Sequence, residues 1–178
     1  TSDAVQNHRT GNPFGINYSV IDMRLDGGLG AVTEKNVNLI PASSEKLTAV
    51  LAANGVDYWV ISHYRDAFHA FRVTPSGVNT SPVISTVGPL IDNFNNTRGA
   101  IKVAPDASRI AVAHAIFEPE LSGNLLLYDF DSETGVVSNE LQLADDLLFY
   151  GAEFSPEGSK FYASGRRIIE FNGQLRTT

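Results

Sequence analysis

Hydrophobic residues fall along this chain in short, strand-length runs. Tyr58-Trp59-Val60-Ile61, Ile110-Ala111-Val112-Ala113, Leu125-Leu126-Leu127-Tyr128 and Leu147-Leu148-Phe149-Tyr150 are each bounded by turn-forming residues. None continues into the helical spacing of an amphipathic helix, so the pattern predicts β-strands. The intervening clusters are Asn54-Gly55, Pro105-Asp106 and Pro156-Glu157-Gly158. Proline presets φ at the second position of a turn, and glycine or asparagine accepts a positive φ. A second set, Asp26-Gly27-Gly28-Leu29-Gly30, Thr74-Pro75-Ser76-Gly77 and Asp131-Ser132-Glu133-Thr134-Gly135, ends on glycine, as hairpins of the right twist require.

The two sets alternate with a period. Segments 53–63, 104–114 and 155–165 align without gaps, with 51 residues from Asn54 to Pro105 and 51 again from Pro105 to Pro156. A period near 50 with two hairpins per repeat predicts four-stranded antiparallel blades and an all-β propeller. The chain then reads as a partial β-propeller over 1–178, about three blades of an incomplete ring. An outer hairpin of one blade covers 15–40, whole blades cover 45–87 and 99–143, and a further blade starts at 150–171, with Arg167–Phe171 beginning its third strand. Thr1-Ser2-Asp3-Ala4 lacks the basic and apolar regions of a signal peptide, so either a signal has been removed upstream or this is an internal piece of a longer chain, and the incomplete repeat favours the second. Each blade hides its faces only against neighbours. Open ends at Tyr18 and Phe171 therefore call for partners: remaining blades of the same polypeptide, or another chain that completes the ring. Residues 1–178 alone are expected to aggregate or to stay partly unfolded.

Composition narrows the function classes. A hydrophobic fraction of 43% and a charged fraction of 19% are those of a folded domain. A net charge of −7 repels phosphate backbones and anionic lipid, so nucleic acid is not an expected partner. No apolar run reaches the roughly 18 residues of a membrane-spanning helix, so no membrane insertion is expected. The absence of cysteine removes disulfides, thiolate metal sites and cysteine nucleophiles together.

Several blocks resemble known sequences. Phe154-Ser155-Pro156-Glu157-Gly158-Ser159-Lys160-Phe161-Tyr162-Ala163-Ser164 is similar to the first hairpin of WD-like and YVTN-type propeller repeats. Gly15–Met23 with Asp26–Gly30, Ser44–Val50 with Gly55–Ile61, and Tyr128–Asp131 with Thr134–Asn139 resemble blocks in large surface proteins of Bacteroidota. Those proteins carry an N-terminal propeller and a C-terminal type IX secretion sorting domain, often gliding-motility-associated. The resemblance spans residues 15 to 171 and implies an exported, extracellular or cell-surface protein. Nothing here matches the sorting domain itself.

Candidate chemistry is sparse. His63 and His114 share a repeat position at the end of the second strand. They could be metal ligands on neighbouring blade rims, but the third copy is Gly165 and such positions stand apart. Side chains meeting solvent are the expectation. Asp129, Asp131 and Glu133 alternate like oxygen ligands, without a closing bidentate carboxylate. Turn capping is expected there; Asp145-Asp146 invites the same comparison. Gly27-Gly28-Leu29-Gly30 sits in a hairpin, not before a helix, so it is no phosphate loop. No Gly-x-Ser-x-Gly elbow accompanies the serines and histidines. Asn17, Asn79 and Asn95 fit the glycosylation tripeptide, a match expected from chance in a bacterial chain. Trp59, Tyr58, Phe71, Phe154 and Phe161 are expected in the core between blades. No catalytic, cofactor-binding or metal residue is assigned, and no cofactor is expected.

Loop length is the more informative signal. Gly88–Arg98 and Ala115–Asn124 are long and irregular and belong to one propeller face, whereas the turns on the other face are tight. Function concentrates on such loops. The expectation is a non-catalytic module that binds protein or glycan through the long-loop face. The alternative is part of a propeller-fold hydrolase or lyase whose catalytic residues lie in other blades.

Overall fold

The structure is a computed structural model. It describes residues 2–3, 15–117, 121–145, 147–171 and 174–177. Four antiparallel sheets follow one another along the chain. The first holds β1 (Ser2–Asp3), β2 (Gly15–Asp22) and β3 (Ala31–Ile40). The second holds β4 (Leu47–Leu51), β5 (Tyr58–Tyr64), β6 (Ala67–Thr74), β7 (Gly77–Val78) and β8 (Val83–Ser85). The third holds β9 (Gly99–Val103), β10 (Arg109–Ile116), β11 (Ser122–Asp131) and β12 (Val136–Ala144). The fourth holds β13 (Leu147–Phe154), β14 (Phe161–Phe171) and β15 (Gln174–Thr177). The only helical elements among the described residues are two short 3-10 turns, Asp26–Gly28 and Phe94–Asn96.

The sheets stack face to face, and the apolar runs show why. Ile110 to Ala115 in β10 are buried without a break. That strand lies between the second and fourth sheets, so both its faces must be apolar. Ile110 and Val112 join Trp59, Ile61, Phe68, Leu126 and Tyr128 in one large core between the second and third sheets. From the other face of the third sheet, Ala113 and Leu125 pack on Phe149. On the far side of the second sheet, Val60, Phe71 and Val73 line a crevice with Ile16, Tyr18 and Leu39 of the first. Polar ties lock the stack. The Trp59 indole donates to the Ser132 carbonyl at 2.9 Å, and the Val137 amide donates to Ser85 Oγ at 2.9 Å.

The repeat is not uniform. In the turn before each second strand, the amides of Ala52, Ala104 and Ser155 bond the carbonyls of Asp57, Arg109 and Lys160. The left-handed residue of the same turn is Gly55, Ala107 or Gly158, with φ of 70°, 57° and 72°. Ala52 and Ala104 are 52 residues apart, and Ala104 and Ser155 are 51 apart. The even spacing of 51 expected from the prolines is therefore wrong by one for the first pair. A shift of one residue in a strand turns every side chain to the opposite face. His63 thus corresponds to Ala115, and His114 to Ser62.

Three further expectations change. The hairpin of Phe68–Val73 across the turn Thr74–Gly77 is expected to return from Val78 onward to Ile84, but this outer strand of the second sheet is split into β7 and β8. Pro82 has no amide to offer a ladder, and Asn79 closes a local turn by accepting the Ser81 amide. The span Ala115–Asn124 is largely hairpin: Ala115 pairs Gly123 and Ile116 pairs Ser122. Only 117–121 is left as connection, of which 118–120 lie outside the described residues. Arg167–Phe171 continues the second strand of the fourth sheet and does not begin a third. β14 pairs β13 through Arg167 and β15 from Ile168 onward.

Candidate functional site

The ends of β5 and β10, the starts of β9 and β13, and the segment Gly88–Arg98 meet on one face. The long segment is folded, not splayed. Its Ile91 is buried and bridges to Arg65, with the Ile91 amide on the Arg65 carbonyl at 3.0 Å. Asn96 Oδ1 accepts the Phe117 amide at 2.8 Å, the Arg98 carbonyl accepts the Ala115 amide at 3.2 Å, and the Arg98 guanidinium covers the Phe117 ring at 4.9 Å. The two long connections therefore brace each other.

Two hollows open beside them. The larger, about 510 Å³, has carbon walls from Ala115, Phe117, Leu121 and Leu148, with Tyr150, Ser164 and Arg166 at its edge. The Tyr150 hydroxyl bonds Glu45, which also accepts the Gly99 amide at 2.8 Å. That bond to a carboxylate, more than partial burial, holds the Tyr150 phenol above its usual range. Ser164 Oγ accepts the Gly151 amide at 3.0 Å. No ion pair involves Arg166 among the described residues. The second hollow, about 440 Å³, lies against Pro89–Asn93, Asn96 and Ile116.

Below this face the two histidines meet. His63 points from the second sheet toward the third, and His114 points back. Their ring centroids are 5.3 Å apart and both side chains are sealed from solvent. The expectation of solvent-facing residues too far apart to interact is overturned, because the 52-residue spacing sets them on opposed faces. Lys46, equally buried, donates from Nζ to the Thr97 carbonyl at 3.0 Å. Burial brings the Lys46 ammonium down to about 7, against a smaller opposing effect of Glu45. Burial, reinforced by Lys46, brings His63 down to about 3 and His114 well below its ordinary value. Sequence reasoning passed over Lys46; its only signal is a lysine opening an apolar strand.

The remaining candidates behave as ordinary structure. Asp131 accepts the Glu133 amide at 2.9 Å and the Thr134 hydroxyl at 2.6 Å, and these bonds hold its carboxyl below the usual range. Asp129 pairs with Arg109 and accepts from Asn139 Nδ2. Among the described residues no group of three or more His, Cys, Asp or Glu is placed to hold a metal ion. Asp145 bonds Gln142, and Asp146 lies outside the described residues. Gly27 and Gly28 lie in the hairpin turn as expected. Asn17 sits within β2, Asn79 is exposed, and Asn95 belongs to a 3-10 turn. Trp59 and Phe71 are core residues. Tyr58 is not: it is 50% exposed at the start of β5. Phe154 and Phe161 pack on each other at the far end, half-buried.

No protein-family model matches the chain, and no curated protein does. Among solved structures it is similar to a "putative 6-phosphogluconolactonase" from Bacteroides uniformis. The TM-score is 0.53 and the identity 14%, over 90% of this chain and 46% of that one. The chain is a β-propeller segment. It spans about half the length of the propeller it matches, with antiparallel sheets of about four strands stacked in chain order. A protein of the same description from Bacteroides fragilis has a TM-score of 0.43 and 12% identity, over 73% of this chain and 36% of that one.

Proposed function

We propose that this propeller segment is a non-catalytic binding module of an exported bacterial cell-surface protein, and that it takes a protein partner on its long-loop face. The larger hollow carries the reading. Its walls are carbon, Phe117 and Tyr150 are held in place by Asn96, Arg98 and Glu45, and one guanidinium sits at the rim. Protein interfaces are anchored by apolar side chains in such preformed pockets, with charge at the edge. A glycan site would need free polar groups. Here the Tyr150 hydroxyl and Ser164 Oγ already serve the protein itself. The cell-surface location rests on the Bacteroidota resemblance, and further blades from the same polypeptide or another chain complete the ring.

The test is selection of peptides from a random library on the full-length protein. Bound peptides should carry an aromatic or branched aliphatic anchor beside an acidic residue. Phe117→Ala should weaken them about tenfold or more while leaving thermal unfolding nearly unchanged. Peptides that bind Phe117→Ala as well as the parent contradict the reading. So does hydrolysis of a sugar lactone that falls on substitution of Tyr150 or Arg166, an outcome that favours the hydrolase alternative.

A further inference from the structure

The pocket that holds Lys46, His63 and His114 is independent of what the face above it binds. The two rings stand edge to face at 78°. None of the four ring nitrogens has a hydrogen bond of good geometry, although the Val87 backbone lies against the His63 ring and favours its charged form. A neutral imidazole has one donor and one acceptor, and leaving both unmet in a dry interior costs stability. Opposite charge compensates only in part: none of the ion pairs among the described residues involves Lys46, His63 or His114, and Glu45 at Lys46 and Asp66 at His63 act against the larger effect of burial. A chain that needed only packing here would be served better by leucine or phenylalanine, as in the rest of that core.

The joint is tied to both ends of the long loop. Gly88 lies so close to His63 that a Cβ there would stand 2.5 Å from Nε2. At the other end the Thr97 carbonyl accepts from both Lys46 Nζ and the Glu45 amide. Ser44 Oγ donates to the His63 carbonyl, which fixes the strand that carries the ring. We propose that this joint is an acid-operated latch: proton uptake by His63 and His114 beside Lys46 parts the second and third sheets and frees Gly88–Arg98.

Every group facing the rings sets the sign. Lys46, ahead of β4, opposes the charging of both. At His63 the Val87 backbone favours it, His69 on β6 opposes it, and Asp66, in the turn between β5 and β6, favours it. The Tyr128 phenol on β11, bonded to Glu140 at 3.0 Å, stays neutral. A ring released to water protonates near its ordinary value of about 6.5, whereas the closed joint excludes that proton. As far as the two rings are concerned, the closed form is therefore favoured fully above that pH, and the buried Lys46, which loses its proton near 7 in the closed joint, adds a further gain as pH rises beyond it. The closed form loses about tenfold per histidine for each pH unit below about 6.5, until the closed rings themselves titrate, near 3 for His63. The carboxylates lowered by turn bonds, such as Asp106 and Asp131, contribute stability that is lost only as pH falls past their ordinary range, in the most acidic part of this window.

The test is amide hydrogen exchange of the full-length protein between pH 7.5 and 5, corrected for intrinsic rates. Protection of 88–98 should fall by up to about 100-fold per pH unit below 6.5 in the parent, and by about tenfold in His63→Gln or His114→Gln. Amides of the hairpin β2–β3 should not follow. Lys46→Met, followed on to pH 3.5 beside the parent, supplies a second arm that keeps both rings: with the neighbouring cation gone, the closed rings accept protons more readily and the loss flattens at a higher pH than in the parent. Unchanged pH dependence in the glutamine variants, or in Lys46→Met if those do not fold, overturns the latch. Equal loss in β2–β3 overturns it as well.

Discussion

Ala107 occupies the left-handed position of its turn at φ 57°, where the neighbouring repeats use Gly55 and Gly158. An L-residue there costs about 1–2 kcal/mol, because Cβ approaches the following carbonyl. Ala107→Gly should therefore stabilise the protein by up to about 1 kcal/mol, after the entropy glycine adds to the unfolded chain. Gly55→Ala should cost about 1 kcal/mol through the backbone alone, since nothing lies within 4 Å of a Cβ at that site. Urea unfolding measures both. The same alanine explains why one residue of the repeat was misread. Pro105 and Pro156 suggest an even period, and no glycine in the middle copy marks the true alignment. Strand parity hangs on that single position, so the meeting of His63 with His114 was hidden while the turns themselves were plain.

At the scale of elements, the second and third sheets are held by a tongue and slot. Trp59 on β5 reaches across to the hairpin between β11 and β12. There Gly135, at φ 80°, leaves no more room than the indole needs: a Cβ would stand 2.7 Å from the ring. Gly135→Ala should cost about 2–4 kcal/mol, from overpacking added to the left-handed backbone. Trp59→Phe should cost about 1–2 kcal/mol, mostly the lost indole bond and a small void. The Ser132 carbonyl keeps a partner in the Ala53 amide, which limits that loss. Denaturant titration of the two variants separates the effects. Strands and hairpin turns were legible because each needs only local pattern and local glycine. The hollow was not. Phe117 just past β10, Leu148 at the start of β13 and Arg166 in the middle of β14 are brought together only by the stacking of sheets. Length did point to the face, though half of the supposed loop 115–124 proved to be paired strand.

Across the whole molecule, the sheets are fans laid one on the next. The interior strand β10 is apolar on both faces, and the outer strands β3 and β12 are largely exposed. At the tip of the first sheet Ile21, Met23, Leu29 and Val32 lie open. A ring that continues beyond this chain would be stabilised by further blades, at about 25 cal/mol for each Å² of apolar surface they cover. The stacking itself is visible in one exposed pair. Lys102 on β9 and Glu153 on β13 meet at 2.7 Å, and they occupy matching positions of consecutive repeats. Such a pair adds little stability, but its distance reports the arrangement. In this cysteine-free chain, Lys102→Cys with Glu153→Cys can be treated with a short bifunctional thiol reagent at high dilution. Stacked blades give an intramolecular cross-link that urea abolishes, while Lys102→Cys with Glu140→Cys, on opposite edges of one sheet, gives none. Failure of the 102–153 pair to link within a single chain would contradict the stacked-blade structure.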